Sequence, residues 1–110
     1  MTSSLGARLL IMSAYLYYRR HSPILSDGDY DLLSAGVAKR WDKLDWFLQW
    51  QLGNPTDIIT TGHHIKVTVQ AERAAIAWFR SVNNCLPHGD SIQSWDYDEF
   101  RDVRWVSAEG

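Results

Sequence analysis

Between residues 15 and 31 the chain reads Tyr-Leu-Tyr-Tyr-Arg-Arg-His-Ser-Pro-Ile-Leu-Ser-Asp-Gly-Asp-Tyr-Asp. Tyrosine faces stack on flat ligands and attract cations held over the ring. Carboxylates accept hydrogen bonds from amides and hydroxyls and offset a positive ligand. Such a set suits binding of a flat, electron-poor group. A plainer account also exists, in which the tyrosines pack in a helical scaffold while Asp27 and Asp29 serve a helix start.

Other constellations carry less. His63-His64 with His21 or His88 have the residue types of a metal site, but adjacent histidines at a strand start point to opposite faces, so no metal is expected. Cys85 and His88 have the types of a nucleophile and its base. They lie close in sequence beside Pro87, without an orienting acid, and a buried inert thiol is the expectation. No glycine-rich phosphate loop occurs. Arg19, Arg20 and His21 with Lys39 and Arg40 form a modest basic set, able to meet a pyrophosphate or simply to face solvent.

Positioning these residues requires elements, and the periodicity supplies them. Residues 3 to 20 read as a helix with Leu5, Leu9, Met12, Leu16 and Arg19 on one face, stopped by His21-Ser22-Pro23. Ser26-Asp27-Gly28-Asp29 reads as a capping box opening a second helix. Its apolar stripe runs Tyr30, Leu33, Val37, Trp41, Leu44 and Leu48, so one helix of about five turns is expected, weakened at Gly36 and ended by Gly53-Asn54-Pro55. Residues 56 to 64 read as a loop. His64 to Val69 alternates as a short strand, and Val103 to Val106 is its expected partner. Gln70 to Val82 reads as a third helix with Ala71, Ala74, Ala75, Trp78 and Val82 inward and Ile76 and Phe79 beside them. The expected fold is α+β, mostly α: an N-terminal helical hairpin over residues 1–55 and a small α/β extension over 56–110, within a single domain.

Composition narrows the function classes. The 110 residues are 45% hydrophobic and 22% charged, an average globular balance that argues against wholesale disorder. A net charge of −2 argues against direct nucleic-acid binding and against an anionic membrane surface. The apolar run from Leu9 to Tyr18 is about half a membrane span, and it reads as a buried helix face. One cysteine excludes an internal disulfide framework and fits a reducing, cytoplasmic compartment. From Asp90 onward six acids outweigh two arginines, which reads as a solvated terminus or a contact for a basic partner. Six tryptophans are in excess. Trp41 and Trp78 fall on inward faces, whereas Trp46, Trp50, Trp95 and Trp105 are either core or an exposed interaction patch.

The run from Tyr15 to Asp31 resembles the N-terminal Ia domain of bacterial NAD-dependent DNA ligases. That family carries Tyr-x-Tyr-His, a proline six residues after the second tyrosine, and then Ser/Pro-Asp-x-Glu-Tyr-Asp opening a helix. Here Tyr17, Pro23, Asp27, Tyr30 and Asp31 match without a gap. Pro55-Thr56 weakly resembles a later Pro-Thr of the family. The resemblance implies that Tyr17, Tyr18, Asp27, Tyr30 and Asp31 contact the nicotinamide mononucleotide half of NAD. Two features depart from the family. Tyr18 replaces the histidine, and no nucleotidyltransferase domain with its Lys-x-Asp-Gly nucleophile is expected, since Lys43-Leu44-Asp45 is followed by Trp46 and reads as a mid-helix coincidence. The expectation is therefore a standalone Ia-like domain that binds NAD or nicotinamide mononucleotide without catalysis of its own, most at home in a phage or prophage genome and acting in the host cytoplasm. The alternative is a protein-interaction module, a phage-type inhibitor or modulator of a host enzyme or defence complex, using exposed aromatics and the acidic C-terminal segment.

Overall fold

The computed structural model describes residues 2–85 and Pro87. Five α-helices follow in order: α1 (Ser3–Tyr18), α2 (Asp27–Lys39), α3 (Trp46–Leu52), α4 (Pro55–Thr60) and α5 (Val69–Asn83), with one 3-10 turn (Trp41–Lys43) between α2 and α3. Each helix starts on a side chain that accepts from a first-turn amide: Thr2, Ser26, Asp45, Asn54 and Thr68.

The centre of the fold is α1, which packs against α2, α3 and α5. It buries Ala7, Leu10, Ile11, Ala14, Tyr15 and Leu16. The expected single stripe is corrected here, because Leu5 is largely exposed and only Leu16 of that set is fully buried. A helix with neighbours on several sides buries several faces, so one stripe describes it poorly. No helix among the described residues is long and apolar enough to cross a membrane.

The expected five-turn helix is broken. α2 stops at Lys39, Leu44 is extended (φ −86°, ψ 150°), and Asp45 restarts the chain by accepting from Leu48 N at 2.9 Å. Trp41 locks the corner. Its indole N–H donates to Gly53 O at 2.8 Å, and Gln49 Nε2 donates to Trp41 O at 3.0 Å. Val37, Leu44 and Leu48 still reach the core, but around a bend rather than along one rod.

The α+β class is overturned: the described residues contain no strand or sheet. In residues 64–68, Ile65 and Val67 are buried as the alternation predicts. The segment's backbone link is to a helix end, with Lys66 N donating to Gln51 O at 2.8 Å and Gln51 Nε2 donating to Lys66 O at 3.2 Å. Thr68 is buried as the α5 cap, and Val69 is already helical. The partner expected at Val103 to Val106 lies outside the described residues. The loop expected over 56–64 instead begins with α4, which Asn54 caps by accepting from Asp57 N at 2.8 Å, with Pro55 in the first turn.

The inward face of α5 is also rotated from expectation. Val69, Glu72, Ala75 and Phe79 are buried, Ala71, Ile76 and Trp78 are partly buried, and Ala74 and Val82 are exposed. Glu72 is buried because Tyr15 Oη donates to its Oε1 at 2.9 Å, while Arg20 Nη1 donates to Tyr15 Oη at 2.7 Å. A buried carboxylate is tolerated only with such partners.

Candidate binding site

Ser26 sets the site's geometry. It caps α2 by accepting from Asp29 N at 3.1 Å, and the short link over residues 19–26 reverses the chain. The C-terminal end of α1 then faces the first turns of α2. At the opposite end, Ser3 and Gly6 of α1 line a small groove with Gly36 and Val37 of α2. The two helices therefore run antiparallel, as expected of the N-terminal hairpin.

A cavity of about 240 Å³ opens at the α1–α2 junction, with α4 and Thr61 as its far wall. Its lining contains all five sequence-predicted residues, Tyr17, Tyr18, Asp27, Tyr30 and Asp31. Tyr17 and Tyr18 meet edge to face at 4.8 Å between ring centroids, and Tyr17 lies 6.2 Å from Tyr30 at an interplanar angle of 31°. Asp27 and Asp31, one turn apart on α2, are both solvent-exposed and border the tyrosines. No lysine or arginine lines the cavity among the described residues.

The floor is held by a close backbone approach. Gly62 N donates to Tyr18 Oη at 3.2 Å. A Cβ at Gly62 would stand 2.6 Å from Tyr18 Cε2 and collide with Tyr30 Oη, so any larger residue must displace the two rings. Tyr30 Oη is buried with no hydrogen-bond partner among the described residues. Burial, reinforced by Tyr18, Asp31 and Tyr17, pushes this phenol well above its ordinary range and keeps it neutral. The His63 ring lies 4.0 Å from the Tyr18 ring, outside the cavity lining.

The wall formed by Ile58, Ile59, Thr60 and Thr61 was not expected, because Asn54-Pro55, which starts α4, reads equally as the end of the preceding helix and residues 56 to 64 as a loop. The basic set does not assemble as one patch. Arg20 is buried against Tyr15, while Lys39 and Arg40 sit at the far end of α2, about 18 Å along the helix from Asp27. His63 and His64 turn to different neighbours, His64 Nε2 lying 2.6 Å from Leu52 O. Cys85, expected to be buried, is exposed, and His88 lies outside the described residues.

A second aromatic group sits on α3. Trp46 is 71% exposed and meets Phe47 edge to face at 5.6 Å, and Phe47 stacks on Trp50 at 6.0 Å. Phe47 also borders an apolar groove of about 340 Å³ with Leu5, Met12, Leu48, Ala71 and Ala74. Trp41 and Trp78, expected to be buried, are partly so, and Trp95 and Trp105 lie outside the described residues.

The fold and site thus define a small helical domain with a tyrosine–carboxylate cavity. The chain matches no protein-family model, no curated protein and no solved structure.

Proposed function

We propose that the protein binds a nicotinamide nucleotide, NAD or nicotinamide mononucleotide, at the α1–α2–α4 cavity, and that it does so in the cytoplasm without chemistry of its own. The observation that carries this reading is convergence. Five residues singled out by resemblance, spread over fifteen positions, line one cavity. The donor set fits the group. Tyrosine faces suit the flat cationic ring, and the carboxylates and hydroxyls of Asp27, Asp31, Ser34, Thr60 and Thr61 suit a carboxamide and ribose. A cavity of about 240 Å³ falls just below the usual range of about 300–1,000 Å³ for small-molecule sites, which favours one ring and its sugar over a whole dinucleotide. No catalysis is proposed because the sequence carries no Lys-x-Asp-Gly nucleophile motif, Lys43-Leu44-Asp45 being followed by Trp46. Calorimetry with nicotinamide mononucleotide tests the reading: saturable heat is expected, and no heat at millimolar ligand overturns it.

One observation favours the second reading, an interaction module. Trp46 is exposed beside Phe47 and Trp50, and tryptophan anchors dominate interface energetics. Acrylamide quenching of single Trp→Phe variants decides between the two. Strong quenching at Trp46 with no response to NAD makes the interaction reading the leading one.

A further inference from the structure

The apolar groove of about 340 Å³ lies between α1, α3 and α5 and shares no lining residue with the tyrosine cavity. Leu5 stands at it largely exposed, and Trp46 is exposed on the adjoining α3. Its two charged lining residues differ in what they already do. Asp45 caps α3 by accepting from Leu48 N, whereas Arg8, the one charged residue of α1, is exposed at the groove. On α5 the exposed charged residues are Arg73 and Arg80, and the acid of that helix, Glu72, is buried against Tyr15. The groove is therefore apolar within, and the two long helices that flank it expose only basic charge.

The chain itself carries the complement. Residues 2–85 hold nine lysines and arginines against seven acids, whereas from Asp90 onward six acids stand against two arginines, with Ile92, Trp95, Phe100 and Trp105 among them. Asn84, in the left-handed region (φ 61°, ψ 23°), ends α5 and turns the chain, and Pro87 is buried again. From Asn83 back to Ala74 the path along α5 is about 14 Å, which an extended chain covers in about five residues. Ile92 is the fifth residue after Pro87, and Trp95 follows. We propose that the acidic segment from Asp90 to Val106 folds back along α5 and seats Ile92 and Trp95 in the α1–α3–α5 groove, its carboxylates meeting Arg8 and Arg73. A second copy of the chain fits the groove less well, because a two-fold pairing sets these basic borders against their own counterparts. A tethered segment acts at a millimolar effective concentration, so weak contacts suffice to hold it. The groove is then covered from within the chain, and an outside partner for Phe47 and Trp46 must displace the segment first.

The test is site-specific photocrosslinking in the full chain. Cys85→Ser removes the sole cysteine, which is exposed, and Ala74→Cys then carries a benzophenone at the groove. Intramolecular crosslinks to residues 90–106, mapped by mass spectrometry, are expected at a yield at least about threefold above that of the same label at Leu32→Cys, which is exposed on α2. Adding Arg8→Glu and Arg73→Glu, both at exposed positions, is expected to lower the yield about twofold or more, because each reversal replaces an attraction by a repulsion. Circular dichroism of each labelled chain checks that its helices are retained. Crosslinks between two chains at low protein concentration would assign the groove to a second copy. Equal yields from the two labels would show that the segment has no seat at the groove. A yield indifferent to the charge reversal would remove the charge match that directs it there. Any of these three results overturns the proposal.

Discussion

The tyrosines at the α1–α2 junction and Trp50 on α3 belong to two aromatic groups whose rings meet different charged neighbours. Trp50 already holds a cation, with Lys66 Nζ 5.2 Å from its ring centroid. Tyr15 is served in the same way, with the Arg20 guanidinium 5.9 Å from its ring. Tyr17, Tyr18 and Tyr30 share their cavity with two carboxylates and no lysine or arginine. An aromatic group with its own cation is a finished structural contact. The proposed nicotinamide ring would bring to the other group the cation that its own lining lacks among the described residues.

The largest expected effect probes the cation-served side. Burial pushes the Tyr15 phenol up to about 12, with Arg20 lowering it and Glu72 raising it. The unfolded chain releases this proton near pH 10, before the folded chain does. The contribution of Tyr15 is therefore full below about pH 10 and falls by about 2–3 kcal/mol as pH rises to about 12. Urea unfolding of the unaltered chain and of Tyr15→Phe across that interval checks it. Tyr15→Phe is expected to make the decline shallower, the raised Tyr30 phenol carrying the remainder, while lowering stability at neutral pH, because Glu72 loses a donor.

Next in size is Gly62→Ala, which drives a methyl group into Tyr18 and Tyr30. A loss of about 1–3 kcal/mol in stability is expected from this overpacking, together with loss of nicotinamide mononucleotide binding. Unchanged values in both measurements would mean that the floor yields and the cavity is not built on this approach.

Tyr17→Ala and Asp31→Ala are each expected to cost about 1–3 kcal/mol of binding while the fold survives, since both side chains are exposed. Trp46→Ala is expected to leave binding unchanged. If Trp46→Ala weakened the mononucleotide and Tyr17→Ala did not, the roles of the two aromatic groups would be reversed.

The hairpin, and the meeting of Tyr17 and Tyr30 at its junction, were legible in sequence because their signals are local. Ser26 caps where the capping box places it, and a reversal over eight residues leaves Tyr17 and Tyr30 little choice but to meet. The errors came from competition between local and tertiary signals. The stripe from Tyr30 to Leu48 is continuous in sequence, but Asp45 caps better than it propagates a helix, and Trp41 anchors to Gly53 twelve residues on. The alternation of Ile65 and Val67 marked one buried side and could not specify a pairing partner. The expected inward face of the third helix left out Glu72, whose partner, Tyr15, lies 57 residues away in sequence.

Lys66→Met tests the finished contact on α3. Removing a partly exposed cation from Trp50 is expected to cost about 0.5–1 kcal/mol in stability and to change the fluorescence of Trp50, with no effect on nicotinamide mononucleotide affinity. A change in that affinity would link the two aromatic groups and break the distinction drawn between them.

The smallest effect is expected at Tyr30, where a hydroxyl is buried without a partner among the described residues. A buried polar group without a hydrogen bond loses its hydration and gains nothing in return. Tyr30→Phe keeps the ring that faces Tyr17 and removes only that oxygen. Stability is expected to stay level or rise by up to about 1 kcal/mol, read from urea midpoints at neutral pH. Binding is expected to hold within about threefold if the ring acts by its face alone. A loss beyond about tenfold would instead show that the oxygen donates to the ligand, making Tyr30 the one tyrosine of the cavity that reads a hydrogen-bond acceptor as well as a positive ring.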